Sequence, residues 1–303
     1  MPYIKYTPNT RFRLLISGMS NSGKTTSLPT FIYGQHDYRD DQQRQAALAY
    51  AGDKHMVVLT CPGEKGTRSL LTAPHITNYY LQTAPDTDIT SAKWSTTALA
   101  DFNAITNHVL QVDKPDILVC DGFHSLYDHI MNRTTNGLFL QGLELNIDEK
   151  TGRYNPYQSA GFYSRSHNAF AQYISALYYS SVPLVICTTW EDWQAGIEES
   201  EAGKQQGIEA RRYLWPAIPG KMAMQIVGQF DARISARLEK RCLDNTCEDS
   251  KNNQLHYVWQ FLPKNDVMGC SIKGLQVTQK MKQQPWIHQS APDLMELMEV
   301  YAR

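Results

Sequence analysis

Charge is scarce in this chain of 303 residues: Asp, Glu, Lys and Arg make up 19%, against roughly a quarter in an average soluble domain. The 29 basic and 30 acidic residues leave a formal charge of −1. No global field therefore draws the chain to DNA or anionic lipid, and any polyanion site has to be local. Long apolar runs are also lacking. No stretch approaches the roughly 18 residues of a membrane span, and the opening MPYIKYTPNTRFRLLISG has no long apolar segment of the secretory kind. A cytoplasmic protein without a membrane partner is expected, in the host cytoplasm if the chain is viral. Six cysteines are too sparse for a disulfide framework. Cys61, Cys120 and Cys187 each end an apolar run and read as reduced core thiols. Cys242 and Cys247 could join His256 and Cys270 around zinc, but their spacing is wider than a C-x2-C knuckle, so ordinary thiols are expected. Large apolar groups, in contrast, are plentiful: 17 Tyr, 9 Phe and 6 Trp within a 42% hydrophobic chain exclude disorder.

One motif dominates. After the apolar run Phe12, Leu14, Leu15 and Ile16 comes GMSNSGKT, in which Gly18, Gly23, Lys24 and Thr25 match G-x-x-x-x-G-K-[ST]. Those four fixed positions arise by accident about 0.01 times in a chain of this length and ordinary composition. Glycines let successive amides approach a phosphate closely at a helix N-terminus. Lys24 is suited to the β- and γ-phosphates and Thr25 to Mg²⁺, with Ser20 and Ser22 as spare donors. The helix expected over Lys24 to Tyr33 can face a sheet through Leu28, Phe31 and Ile32, although Pro29 interrupts it.

Such a loop needs a carboxylate at the end of a neighbouring buried strand, and Asp116-Ile117-Leu118-Val119-Cys120-Asp121 supplies one in Asp121. A further acid has to orient or deprotonate water. Glu64 is the first choice, because Met56 to Thr60 reads as a strand and CPGEKG follows it, at the edge where strand ends gather in an α/β sheet. Pro183 to Thr189 marks another strand, with Thr188 or Thr189 as a γ-phosphate sensor and Glu191 as a reserve acid.

With these pieces in order, the chain resembles the RecA-like branch of P-loop ATPases, and most closely the short nucleotide-binding ATPases that phages encode beside recombination genes. The likeness rests on GMSNSGKTT at 18–26, MVVLTCPGE at 56–64, DILVCDGFHSL at 116–126 and LWPAIPGKMAMQIVGQFDARI at 214–234. It implies ATP held by Gly18, Ser20, Asn21, Ser22, Gly23, Lys24, Thr25 and Thr26, and Mg²⁺ held at Thr25 and Asp121. It also places Lys24, Glu64 and Asp121 in the catalytic roles, Glu64 as the water-activating glutamate and Asp121 as the Walker B acid. Homo-oligomeric rings or filaments acting on single-stranded DNA are implied as well, with phage recombination or virion proteins as further partners. The chain departs from that pattern in the insertion YGQHDYRDDQQRQAALAYAGDKH, in Gly122 where many relatives carry Ser, and after residue 240.

The expected fold is α/β, a P-loop NTPase three-layer sandwich whose RecA-like, mainly parallel sheet carries an antiparallel C-terminal extension. Residues 1–240 form the core, and 241–303 the extension and a terminal helix. Helices are expected over about 97–112 and 162–179, leading into buried strands as βαβ units do. Beyond Gly220 the runs MQIVGQF, ARISARL, LHYVWQFL and MGCSIKG alternate and are expected as antiparallel strands on one edge.

Three segments could touch a polymer or a neighbour. Arg153, Tyr154, Tyr157, Phe162, Tyr163, Arg165 and His167 interleave cations with aromatics. Residues 191–209 hold six acids against one lysine, a local −5, followed by Arg211 and Arg212 as arginine-finger candidates. Arg233 and Arg237, with Lys264, Lys273, Lys280 and Lys282, are expected to make the C-terminal third the positive face. Rival readings are a genome-packaging or virion-associated ATPase, a structural protein with little turnover, and a GTPase-like switch based on Pro263-Lys264-Asn265-Asp266.

Overall fold

The computed structural model describes residues 11–61, 64, 66–80, 104–128, 162–195, 212–218, 228–242, 253–260, 271–272 and 286–289. Buried apolar runs give the strands β1 (Phe12–Gly18), β2 (Met56–Thr60), β3 (Ile76–Tyr80), β4 (Ile117–Asp121) and β5 (Leu184–Thr189). After them come β6 (Glu191–Ala195), β7 (Arg212–Pro216), β8 (Ala232–Cys242), β9 (Asn253–Gln260), β10 (Ser271–Ile272) and β11 (Trp286–Gln289). The helices are α1 (Lys24–Ser27), α2 (Thr30–Tyr33), α3 (Arg44–Ala51), α4 (104–108), α5 (123–128) and α6 (Phe162–Tyr178).

The main sheet runs β11-β9-β8-β1-β5-β4-β2-β3, with β10 also on β8, while β6 and β7 form a separate hairpin. From β8 to β3 every neighbour is parallel, and β9, β10 and β11 add antiparallel pairs at one side. Successive strand residues point to opposite faces, and the core divides accordingly. Leu14, Ile16, Val58, Val119, Ile186 and Ile234 pack on Leu28, Phe31 and Ile32 of the α1–α3 side. Leu15, Val57, Leu118, Cys120, Val185 and Cys187 pack on Phe123, Phe170, Tyr173 and Leu177 of α5 and α6. Each fully buried side chain of this size contributes about 1.5–3 kcal/mol. The chain thus has a three-layer α/β fold of the P-loop kind, with a mainly parallel sheet and an antiparallel extension.

Two local details refine the sequence reading. Pro29 has no N–H to continue α1, so the helix stops and restarts as α2, whose Ile32 N–H and Tyr33 N–H both donate to Pro29 O at 2.9 Å. Leu28, Phe31 and Ile32 still reach the core. ARISARL pairs in both directions: β8 lies parallel to β1 from Leu14↔Ala232 to Gly18↔Ala236, and its other side is antiparallel to β10 at Ala232 and Arg233. From Ser235 on, that same side pairs antiparallel with β9. The alternating texture was read correctly as strand, but alternation carries no information about direction.

The expected helix at 97–112 is described from residue 104, ending in a π-helical turn over Val109–Asp113. Among the described residues, no helix is long and apolar enough to cross a membrane.

Candidate functional site

The carboxyl ends of β1, β5, β4 and β2 lie side by side, and the site is built there. The loop after β1 turns through two left-handed residues, Asn21 (φ 62°) and Gly23 (φ 87°), before α1 begins. Gly23 has the freedom such a turn needs. Gly18 answers a different demand: a Cβ there would sit 2.2 Å from Ala236 O of β8, so close sheet packing requires its glycine. Lys24 is buried and its Nζ donates to Gly18 O at 2.7 Å and Met19 O at 2.8 Å, folding over the loop. Burial pushes its ammonium pKa down, opposed by the charges of Asp121, Glu64 and Glu191.

Asp121 ends β4 with 1% of its surface exposed. Thr25 Oγ1 donates to its carboxylate at 3.2–3.3 Å, and Thr188 Oγ1 donates to its Oδ1. Thr188 Oγ1 also accepts the Gly122 N–H at 3.0 Å. Burial raises the Asp121 pKa against the pull of those hydroxyls and of Lys24. The structure therefore joins Lys24, Thr25, Asp121 and Thr188 in one cluster. Thr189, the other sensor candidate, has a buried hydroxyl without a hydrogen-bond partner among the described residues.

Glu64 stands beside Asp121. Its carboxyl pKa is raised by burial first and by Asp121 second, with Lys24 and a hydrogen bond from Ser125 opposing. Its room is made by Gly122, at φ +91°, where a Cβ would come within 2.4 Å of Glu64 Cγ. The departure from Ser at position 122 thus has a steric reason. Beside Glu64 lies His124, which the sequence reading passed over: its Nε2 is 3.5 Å from Glu64 Oε1 and 3.2 Å from Ser125 Oγ. Its ring stacks on Trp190, with centroids 4.4 Å apart. The signal that could have found it is position, since His124 falls in the first turn of the helix that follows the acidic strand.

Glu191 is not available as a reserve acid. It is held by Arg233 Nη2 (2.8 Å), Ser17 Oγ (2.6 Å) and Ser235 Oγ (2.9 Å), and its side chain is fully enclosed with that of Arg233. The same pair corrects the expected positive face, because Arg233 is 0% exposed and cannot meet a polymer. Arg237 remains partly exposed and donates to Gln260 Oε1 at 2.8 Å.

Cys61, Cys120 and Cys187 are buried free thiols, as expected. The Arg153–Tyr157 segment, Arg211, Lys264, Lys273, Lys280, Lys282, Cys247 and Cys270 lie outside the described residues, and the side chains of Phe162–His167, Arg212, Cys242 and His256 are likewise not described. A groove of about 210 Å³ adjoins the loop, lined by Thr26, Thr30, Gly34, His36, Tyr38 and Arg39 among others.

No family model matches the chain, and no curated protein matches it in sequence. Among solved structures it is similar to the flagellar accessory protein FlaH from Methanocaldococcus jannaschii, at 12% identity and TM-score 0.35, over 91% of this chain and 84% of that one. It is also similar to a KaiC-like protein from Pyrococcus horikoshii OT3, at 12% identity and TM-score 0.37, over 82% of this chain and 77% of that one.

Proposed function

We infer that the chain binds ATP with Mg²⁺ and hydrolyses the β–γ bond. One observation carries this reading: Lys24, Thr25, Asp121 and Glu64 converge at the carboxyl edge of a parallel sheet, on a loop with phosphate-binding spacing. The loop from Gly18 to Thr26 cradles the phosphates, and the groove beside Thr26 takes the nucleoside. A divalent cation fits the donors present, because Asp121 is a buried carboxylate paired with hydroxyls and Thr25 Oγ1 faces it. Thr25 and Asp121 hold the ion, which supplies charge neutralisation at the phosphates.

Glu64, with a raised pKa, accepts a proton from the attacking water while water oxygen bonds to the γ-phosphorus and the bridging oxygen leaves with ADP. Lys24 offsets the charge that develops on the phosphoryl oxygens. Phosphate release by the purified chain tests the reading, and Lys24→Ala should abolish it. Release unaffected by that substitution would refute the site.

The finer reading is an oligomeric, phage-type ATPase coupled to single-stranded DNA recombination, annealing or repair. It rests on the sequence resemblance and on the cationic, aromatic segment from Arg153 to His167. Stimulation of phosphate release by single strands, above duplex DNA and RNA, would support it. Association with a portal or capsid instead would favour the packaging alternative.

A further inference from the structure

We propose that His124 is a positioning residue for Glu64: an imidazole, clamped by Trp190, that presents Nε2–H to the Glu64 carboxylate. The inference rests on Glu64 as the water-activating acid.

The ring is nearly enclosed, at 7% exposure, and its two nitrogens have different surroundings. Nε2 faces Glu64 Oε1 at 3.5 Å and Ser125 Oγ at 3.2 Å. Nδ1 is buried with no hydrogen-bond partner among the described residues. A proton on Nδ1 would bury an unsatisfied donor, whereas an idle lone pair there costs less. The proton therefore sits on Nε2, where both acceptors lie. Burial and the nearby Lys24 hold the His124 pKa to about 4, so the ring is uncharged at neutral pH. That state suits the task, because an imidazolium would stabilise the Glu64 carboxylate and weaken it as a base.

Orientation comes from two sides. Trp190 stacks on the imidazole at 4.4 Å and an interplanar angle of 26°. Its own backbone is fixed, since Ala217 N–H donates to Trp190 O at 2.7 Å and the next residue is the enclosed Glu191. Ser125, next in the chain, donates to Glu64 and lies 3.2 Å from His124 Nε2. An imidazole nitrogen 3.5 Å away and a hydroxyl, on consecutive residues of α5, thus approach one carboxylate whose backbone lies on a separate loop after β2. Fixing a reacting group in this way can be worth orders of magnitude in rate.

The test has a structural and a kinetic arm, both on the full chain. Nitrogen-15 correlation spectra without nucleotide, assigned by difference from His124→Phe, should show His124 as the Nε2–H tautomer, with its Nε2 resonance moved by Glu64→Gln. An Nδ1–H tautomer would overturn the proposal. In steady-state hydrolysis, His124→Phe keeps an aromatic ring under Trp190 and should lower kcat about 30-fold, with affinity for a fluorescent ATP analogue within twofold. His124→Gln, which restores an N–H donor, should recover at least a third of wild-type kcat. In a Glu64→Gln background, His124→Phe should change kcat less than twofold. An unchanged kcat in His124→Phe, no recovery in His124→Gln, or an undiminished loss in that background would each overturn the proposal. A wild-type chain that releases no phosphate, or a Glu64→Gln chain with wild-type turnover, would instead sink the reading of Glu64, while the tautomer still decides the contact.

Discussion

Glu64 and Glu191 follow the ends of two strands in one sheet, β2 and β5, yet they have opposite surroundings. Glu191 meets a guanidinium at 2.8 Å and two hydroxyls, all enclosed. Glu64 meets a neutral imidazole and the Ser125 hydroxyl, feels the charges of Asp121 and Lys24, and keeps 16% of its side chain open. Charge compensation separates their roles. A carboxylate held by a buried arginine and two hydroxyls serves as a brace, whereas one buried beside a second acid has its pKa raised and is ready to take a proton. Proximity to the phosphate loop does not distinguish them, since both act on the charge of Lys24.

Removing the brace should have the largest effect. Glu191→Ala leaves Arg233 charged and enclosed, and should cost about 3–5 kcal/mol in urea unfolding. Glu191→Leu combined with Arg233→Met should recover most of that loss, because apolar groups of similar volume can replace a buried pair. A single variant as stable as wild type would show that Glu191 and Glu64 are less different than their contacts imply. The next largest effect is Glu64→Gln, which should lower turnover about 100-fold or more and leave nucleotide affinity within twofold, as measured by phosphate release and by titration. Equal turnover would remove Glu64 from the chemistry.

Gly122→Ala should be milder. A left-handed alanine costs about 1–2 kcal/mol, and its methyl would displace Glu64, so turnover should fall about tenfold while nucleotide still binds. The smallest effect concerns pH. Glu64 has a folded pKa above its ordinary 4.5. The folded state therefore binds this proton more tightly than the unfolded state, and the contribution of Glu64 to stability declines as pH rises from 4.5 through the raised value. In magnesium-free buffer Glu64→Gln should gain on wild type across that window, and the difference should shrink below pH 4.5. Denaturant midpoints between pH 4 and 8 would show it, and parallel curves would contradict it.

Much of this arrangement was legible in the sequence wherever its cause is local. The spacing of Gly18, Gly23, Lys24 and Thr25 is a covalent pattern. The strands ending at Asp121 and Thr189, and the one leading toward Glu64, are contiguous apolar runs with polar groups beyond them. What was not legible depends on distant partners. Arg233 read as surface charge because its partners Glu191 and Ser17 lie 42 and 216 positions away. Gly18 read as room for phosphate, whereas its nearest constraint is Ala236 O of β8. His124 had no motif to announce it, since its place beside Glu64 arises from two strands pairing in register, Thr60↔Asp121.

The position of β8 bears on how the chain matures. Its register fixes the far side of β1, where Arg13 N–H donates to Asp231 Oδ2 across 218 residues. Pairings of such long separation are slow to form. During synthesis, which proceeds from the N-terminus, the phosphate-loop strand is made first and receives its second neighbour only after residue 236 has left the ribosome. A nascent chain therefore carries the phosphate-loop motif long before it owns the wall that Gly18 packs against, and the proposed nucleotide site is completed late, with the folded unit rather than with the motif.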